Sequence, residues 1–72
     1  MNGIEKARKA SGITLERAAG ITNMSVPTYK KRENEPWLFT VGQFCSLRRE
    51  IDKDSLALFD AEYESLCRKN FT

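Results

Sequence analysis

Apolar residues along this 72-residue chain recur at intervals of three and four, and no stretch alternates with a period of two. That spacing predicts helices separated by short turns, and no sheet. Ile4, Ala7 and Ala10 share one face of a first helix from about Asn2 to Ser11, and Gly12 is placed to end it in a left-handed conformation. A second helix starts after Thr14, whose hydroxyl suits the free N–H groups of a first turn, with Glu16 near the positive end of the helix dipole. Its Ala18 and Ala19 are small enough for another helix to cross closely. Asn23 then falls in a tight turn that asks for positive φ, and Met24 points inward. Ser25 caps a third helix, and Pro27 sits in its first turn, where no backbone donor is lost. Tyr29 faces the interior, while Pro27, Lys30 and Lys31 fall together on the opposite face.

Glu35-Pro36 ends the third helix. The connector that follows, Pro36-Trp37-Leu38-Phe39, is apolar, and Phe39 is its core candidate. Thr40 and Gln43 make a capping box for a helix over 40–51, with Val41, Phe44, Leu47 and Ile51 as its inward stripe. Asp52 or Asp54 opens a last helix over 54–69, with a stripe of Leu56, Phe59, Tyr63 and Leu66. Leu58 and Cys67 widen the apolar surface of that helix beyond its stripe. The expected fold is all-α: one domain over 1–72, a compact bundle of about five helices.

Composition sharpens this picture. With 40% hydrophobic and 31% charged residues, the chain is globular rather than disordered. A chain this short buries only about 60% of its unfolded surface, so stabilisation by dimerisation is a common remedy. No apolar run is long enough to span a membrane, and MNGIEKARKA lacks the apolar segment of a signal peptide, so a cytoplasmic protein is expected. Net charge is +2 but uneven: residues 1–34 carry seven basic and three acidic side chains, residues 35–72 five and seven. The basic half suits phosphate binding. Cys45 and Cys67 have no metal-ligand spacing and the chain has no His, so both read as reduced thiols packing as small apolar groups. Asp52, Asp54, Glu62 and Glu64 read as caps and solubilising charges. No nucleophile–base arrangement is present, so neither catalysis nor a metal, cofactor or small-molecule ligand is expected.

Residues 14–34, TLERAAGITNMSVPTYKKREN, have the layout of a helix-turn-helix, whose basic second helix lies in the DNA major groove. From Ile4 to about Ile51 the chain resembles the phage-repressor and Cro-like (XRE-type) family. The resemblance rests on Arg8, Gly12 before Thr14, Ala19, Ser25, Thr28 and the Glu33-Asn34 pair. It implies a lambda-repressor-like bundle that binds operators, usually as a dimer. It also implies an ion pair between Arg8 and Glu33 across the first and third helices. Val26, Pro27, Thr28 and Lys31 match positions facing base edges, and Thr14, Leu15 and Asn34 match positions near phosphates. Ser25 and Lys30 complete the DNA-facing set. Trp37 and Leu38 match a dimer-contact segment, and Leu58 and Tyr63 on the last helix join them as interface candidates. Five positions depart from the pattern. Thr22 and Arg32 stand where the family has large apolar residues, and Leu15 replaces a polar one. Val26 and Pro27 reach bases only through thymine methyl groups or groove shape.

The expected function is sequence-specific binding of double-stranded DNA by a nucleoid-associated regulator, prokaryotic or phage, that occludes a promoter as a homodimer. The alternative is a protein-interaction module, antitoxin- or antirepressor-like, holding a protein partner through Trp37-Leu38-Phe39 and the last helix. The apolar Val26-Pro27 start of the third helix and the modest net charge motivate it.

Overall fold

Side-chain caps and two left-handed residues fix where the helices begin and end. The computed structural model describes residues 2–71, with side chains through residue 68. The helices are α1 (Gly3–Ala10), α2 (Leu15–Ile21), α3 (Val26–Asn34), α4 (Val41–Glu50) and α5 (Leu56–Phe71). Short 3₁₀ turns, Pro36–Leu38 and Lys53–Ser55, precede α4 and α5. The fold is all-α, with no strand among the described residues. None of the described helices is long and apolar enough to cross a membrane.

Each of the first four helices opens on a polar side chain that accepts an orphan backbone N–H. Asn2 takes the N–H of Glu5, Thr14 that of Arg17, Ser25 that of Thr28 and Thr40 that of Gln43. Gln43 returns the bond to the Thr40 N–H at 2.9 Å, completing the capping box. α1 and α2 end alike. Gly12 (φ 72°) follows α1, with Ile13 N–H donating to Arg8 C=O and Gly12 N–H to Lys9 C=O. Asn23 (φ 59°) follows α2, with Met24 N–H donating to Ala19 C=O and Asn23 N–H to Gly20 C=O. This paired bonding closes a helix when the residue after its last turn is left-handed. The turn between α2 and α3 therefore has a fixed shape rather than a variable one.

The core collects Ile4, Ala7, Ile13, Ala18, Ala19, Tyr29, Phe39, Phe44, Leu47, Ile51, Phe59 and Leu66. Tyr29, Phe39 and Phe44 form a tilted aromatic chain with centroids 5.8 and 5.2 Å apart, which ties α3 and the connector to α4. Several sequence expectations need correction. Val41 is 69% exposed at the first position of α4, beside an open recess between α4 and α5. Neither Asp52 nor Asp54 caps α5 through its side chain. The chain first makes the Lys53–Ser55 turn, buries Ser55 and starts the helix at Leu56, so α5 runs Leu56–Phe71 rather than 54–69. Cys45 is exposed rather than packed, while Cys67 is half-buried. Ala10 and Tyr63, both expected on inward faces, are also exposed.

α1 lies along α5, and Gly3 is a point of close approach. A Cβ there would sit 2.5 Å from the Leu58 carbonyl oxygen and 3.0 Å from Glu62 Cβ. Gly20, on the exposed side of α2, would meet nothing within 4 Å. Two Gly→Ala changes should therefore have opposite signs. Gly20→Ala should raise the unfolding free energy read from urea titration by about 0.5–1 kcal/mol of helix propensity. Gly3→Ala should lower it by about 1–3 kcal/mol, since the clash is with backbone and α1 must shift. Equal, positive effects at both sites would show that α1 does not rest on α5 this closely.

Candidate nucleic-acid interface

A buried polar network holds α3 against α1. Arg8 Nε donates to Glu33 Oε2 at 2.7 Å and Nη2 to Oε1 at 3.1 Å, a bidentate pair with both side chains 5% exposed. Arg8 Nη1 also donates to the Ile13 carbonyl at 2.8 Å. Tyr29 Oη donates to Glu33 Oε2 at 2.6 Å, and Asn2 Nδ2 to the Glu33 carbonyl at 2.6 Å. No buried side-chain polar atom among the described residues lacks a partner. The sequence reading held Arg8 and Glu33 but not Tyr29 or Asn2. The i, i+4 spacing of Tyr29 and Glu33 on one helix is the signal that could have found the first of these.

The network sets the protonation of its members. Burial is the largest influence on Arg8 and pulls its guanidinium down, but the hydrogen bond to Glu33 and its charge outweigh burial and leave it raised. Burial, then the hydrogen bond to Glu33 and its negative charge, push the Tyr29 phenol well above its ordinary 10.0. The sign of the linkage follows. Above pH 10 an unfolded tyrosine gives up its proton while the folded Tyr29 keeps it, so the native state binds more protons and stability falls as pH rises. Stability from this group should be constant below pH 10 and decline above it, by at most about 1.4 kcal/mol per pH unit. Urea unfolding at pH 8 to 11.5 should show that decline in the natural chain and lose one proton's worth of slope in Tyr29→Phe. An unchanged slope would mean that the hydroxyl is not held by the carboxylate.

With its inner face held, α3 turns a basic face outward. Pro27, Thr28, Lys30, Lys31 and Asn34 are exposed. Among the described residues no carboxylate pairs with Lys30 or Lys31. Arg32, beside them, is half-buried. The Thr28 hydroxyl is engaged by Ser25, whose Oγ donates to it at 2.9 Å. Thr14 and Ser25 stand exposed at the starts of α2 and α3, with their oxygens already accepting cap bonds. Leu15 and Val26 are half-buried and pack against the core, so each has only part of its side chain on this face. Thr22, the other departure, is buried, with its hydroxyl donating to the Ala18 carbonyl at 2.8 Å. On α2, Arg17 is exposed and pairs with Glu50 of α4 at 2.6 Å. Such a pair contributes little to stability, about 0–1 kcal/mol.

The remaining candidates lie elsewhere. Trp37 (44% exposed), Leu38, Leu58 and Tyr63 all keep large apolar area at the surface. Among the described residues no His, Cys, Asp and Glu cluster is arranged to hold a metal ion. Compared with family models, with curated proteins and with solved structures, the chain gives no match.

Proposed function

We propose that this chain is a sequence-specific double-stranded-DNA-binding regulator of the Cro-like helix-turn-helix kind, acting as a homodimer to occlude a promoter. One observation carries the reading. Lys30 and Lys31 stand exposed on α3 and, among the described residues, pair with no carboxylate; the orientation of that helix is set by the Asn23 turn and the buried Arg8–Glu33–Tyr29 network. A rigid helix with free ammonium groups on one face is what a phosphate backbone selects, and lysine acts there as a point charge. Pro27 and Val26, at the start of α3, offer thymine methyl groups an apolar contact, so base reading is carried by shape and methyl contact more than by hydrogen bonds. Two copies on a roughly two-fold operator would place one α3 in each half-site, about 34 Å apart. Each domain measures 32 × 26 × 21 Å, a width compatible with that spacing.

The test is a fluorescence-anisotropy titration of random-sequence duplex DNA across a salt series. The two lysines of each protomer should give a slope of log K against log salt of about −1.8, or about −3.6 for a dimer. Operator selection follows from binding of that steepness. No binding at about 50 mM salt, where phosphate attraction is strong, would overturn the proposal.

A further inference from the structure

A recess of about 280 Å³ opens between the start of α1, the end of α3 and the middle of α5. Pro36, Trp37 and Leu66 give it an apolar wall, and Asn34, the last residue of α3, also lines it. Glu62 is the only charged side chain in the lining. Its carboxylate is half-buried, and among the described residues no lysine or arginine pairs with it. Glu62 Oε1 accepts the Gly3 N–H at 2.8 Å, which leaves Oε2 without a partner among the described residues. Asn2, on the same recess, is already engaged: its Nδ2 donates to the Glu33 carbonyl and its Oδ1 accepts the Glu5 N–H. The recess between α4 and α5 differs in this respect, because its lining charges, Arg48 and Asp60, already join through two bonds of 2.8 Å.

This lining selects a cation. A half-buried carboxylate without a counter-charge has lost hydration that one backbone N–H replaces only in part. The C-terminal end of α3, where Asn34 sits, adds the negative end of a helix dipole. Trp37, 44% exposed, supplies an aromatic surface that attracts cations. A guanidinium suits the set better than an ammonium. It is planar and weakly hydrated, it stacks on aromatic rings, and its N–H edge matches a carboxylate. The volume lies just under the about 300–1,000 Å³ of ordinary small-molecule pockets, enough for a guanidinium on a short apolar stem and little more.

We propose that this recess binds an alkylguanidinium, its plane against the Trp37 indole, its N–H groups on Glu62 Oε2 and its stem along Pro36 and Leu66. The inference goes beyond the regulator reading and does not rest on DNA contact. Asn34 alone belongs to both surfaces, so it stays unchanged in the test.

Trp37 is the chain's single tryptophan and reports on the recess without any substitution. The probe is n-propylguanidinium, titrated at constant ionic strength while the Trp37 indole N–H and the Gly3 amide are followed by NMR. Both signals should shift together and saturate at about millimolar concentration, as one cation–π contact and one ion pair allow. n-Propylammonium should bind more weakly, and urea, planar but neutral, should leave both signals in place. Glu62→Gln keeps an oxygen for the Gly3 N–H and removes only the charge, so the fold should persist while binding weakens about 10-fold or more. Trp37→Leu, read at Gly3, should weaken it comparably and serves as the second variant if Glu62→Gln unfolds. Glu64→Gln, on an exposed residue paired with Arg68 outside the recess, should change nothing. A capped pentapeptide with a central arginine separates two sources of the same chemistry. Tighter binding than propylguanidinium assigns the site to a protein side chain, and equal or weaker binding to a free cation. No shift up to about 50 mM probe, an equal response to urea, or binding indifferent to both Glu62→Gln and Trp37→Leu would each overturn the proposal.

Discussion

Arg8→Ala should cost about 3–5 kcal/mol of folding stability, the largest single-residue loss expected in this chain. The substitution leaves the Glu33 carboxylate buried with only Tyr29 for a donor and removes the donor to the Ile13 carbonyl. A 72-residue domain has about 4–11 kcal/mol in total, so the variant should be partly unfolded at 37 °C and its Tm lowered by about 15 °C or more. Glu33→Ala should do comparable damage by stranding the guanidinium. Replacing the whole network is a different matter, because the desolvation of two charges then disappears with their attraction. Arg8→Met, Tyr29→Phe and Glu33→Leu together should recover most of the stability that either single variant loses. Urea unfolding followed by circular dichroism checks all three. A loss below about 1 kcal/mol in Arg8→Ala would mean that the pair is solvated and that α3 is oriented by apolar contacts alone.

The second large effect is on binding. Lys30→Glu with Lys31→Glu should abolish measurable association with duplex DNA at about 100 mM salt while leaving the protein folded. Both side chains are exposed and, among the described residues, pair with no carboxylate, so their removal takes nothing from the core. Placing acids near the end of α3 opposes its dipole by about 0.3–1 kcal/mol, small beside the total. Lys30→Gln with Lys31→Gln avoids even that. It should weaken binding and flatten the salt dependence by about 1.8 per protomer, two phosphate contacts at 0.9 each. A charge-matched control, Lys53→Glu with Arg68→Glu, should weaken binding only through the long-range field and leave the slope in place. If the control and the α3 reversal fall together, attraction is diffuse and α3 has no special position on the duplex.

The ends of the helices were legible because their determinants are local. Thr14, Ser25 and the Thr40/Gln43 pair act within three residues of themselves, and the left-handed demand met by Gly12 and Asn23 belongs to a single φ. Helical phase likewise identified Phe44, Leu47, Ile51, Phe59 and Leu66 as core. It placed Val41 on the same stripe, but phase does not say where a neighbouring helix stops covering a face. Ile13 is buried in the connection between α1 and α2, where no period exists to reveal it. Asp52 and Asp54 are good caps by residue type. Burial of Ser55 decided instead where α5 begins, and that is a tertiary contact. For the candidate site, the outward face of Pro27, Lys30 and Lys31 follows from spacing alone. The partial withdrawal of Leu15 and Val26 into the core does not, because one apolar residue at a helix start carries no directional signal.

The start of α1 has a kinetic consequence. Its first free backbone donor, the Gly3 N–H, is satisfied by Glu62 Oε1 at 2.8 Å, a residue 59 positions away on α5. That bond exists only after the long loop between α1 and α5 has closed, at an entropic cost of about 4 kcal/mol. The α2–turn–α3 unit closes over a few residues and needs no such step. Folding should therefore begin where the chain reverses at Asn23 and finish by seating the first helix on the last. Disturbances at Gly3 or Glu62 would then appear as faster unfolding, and disturbances in the central turn as slower folding.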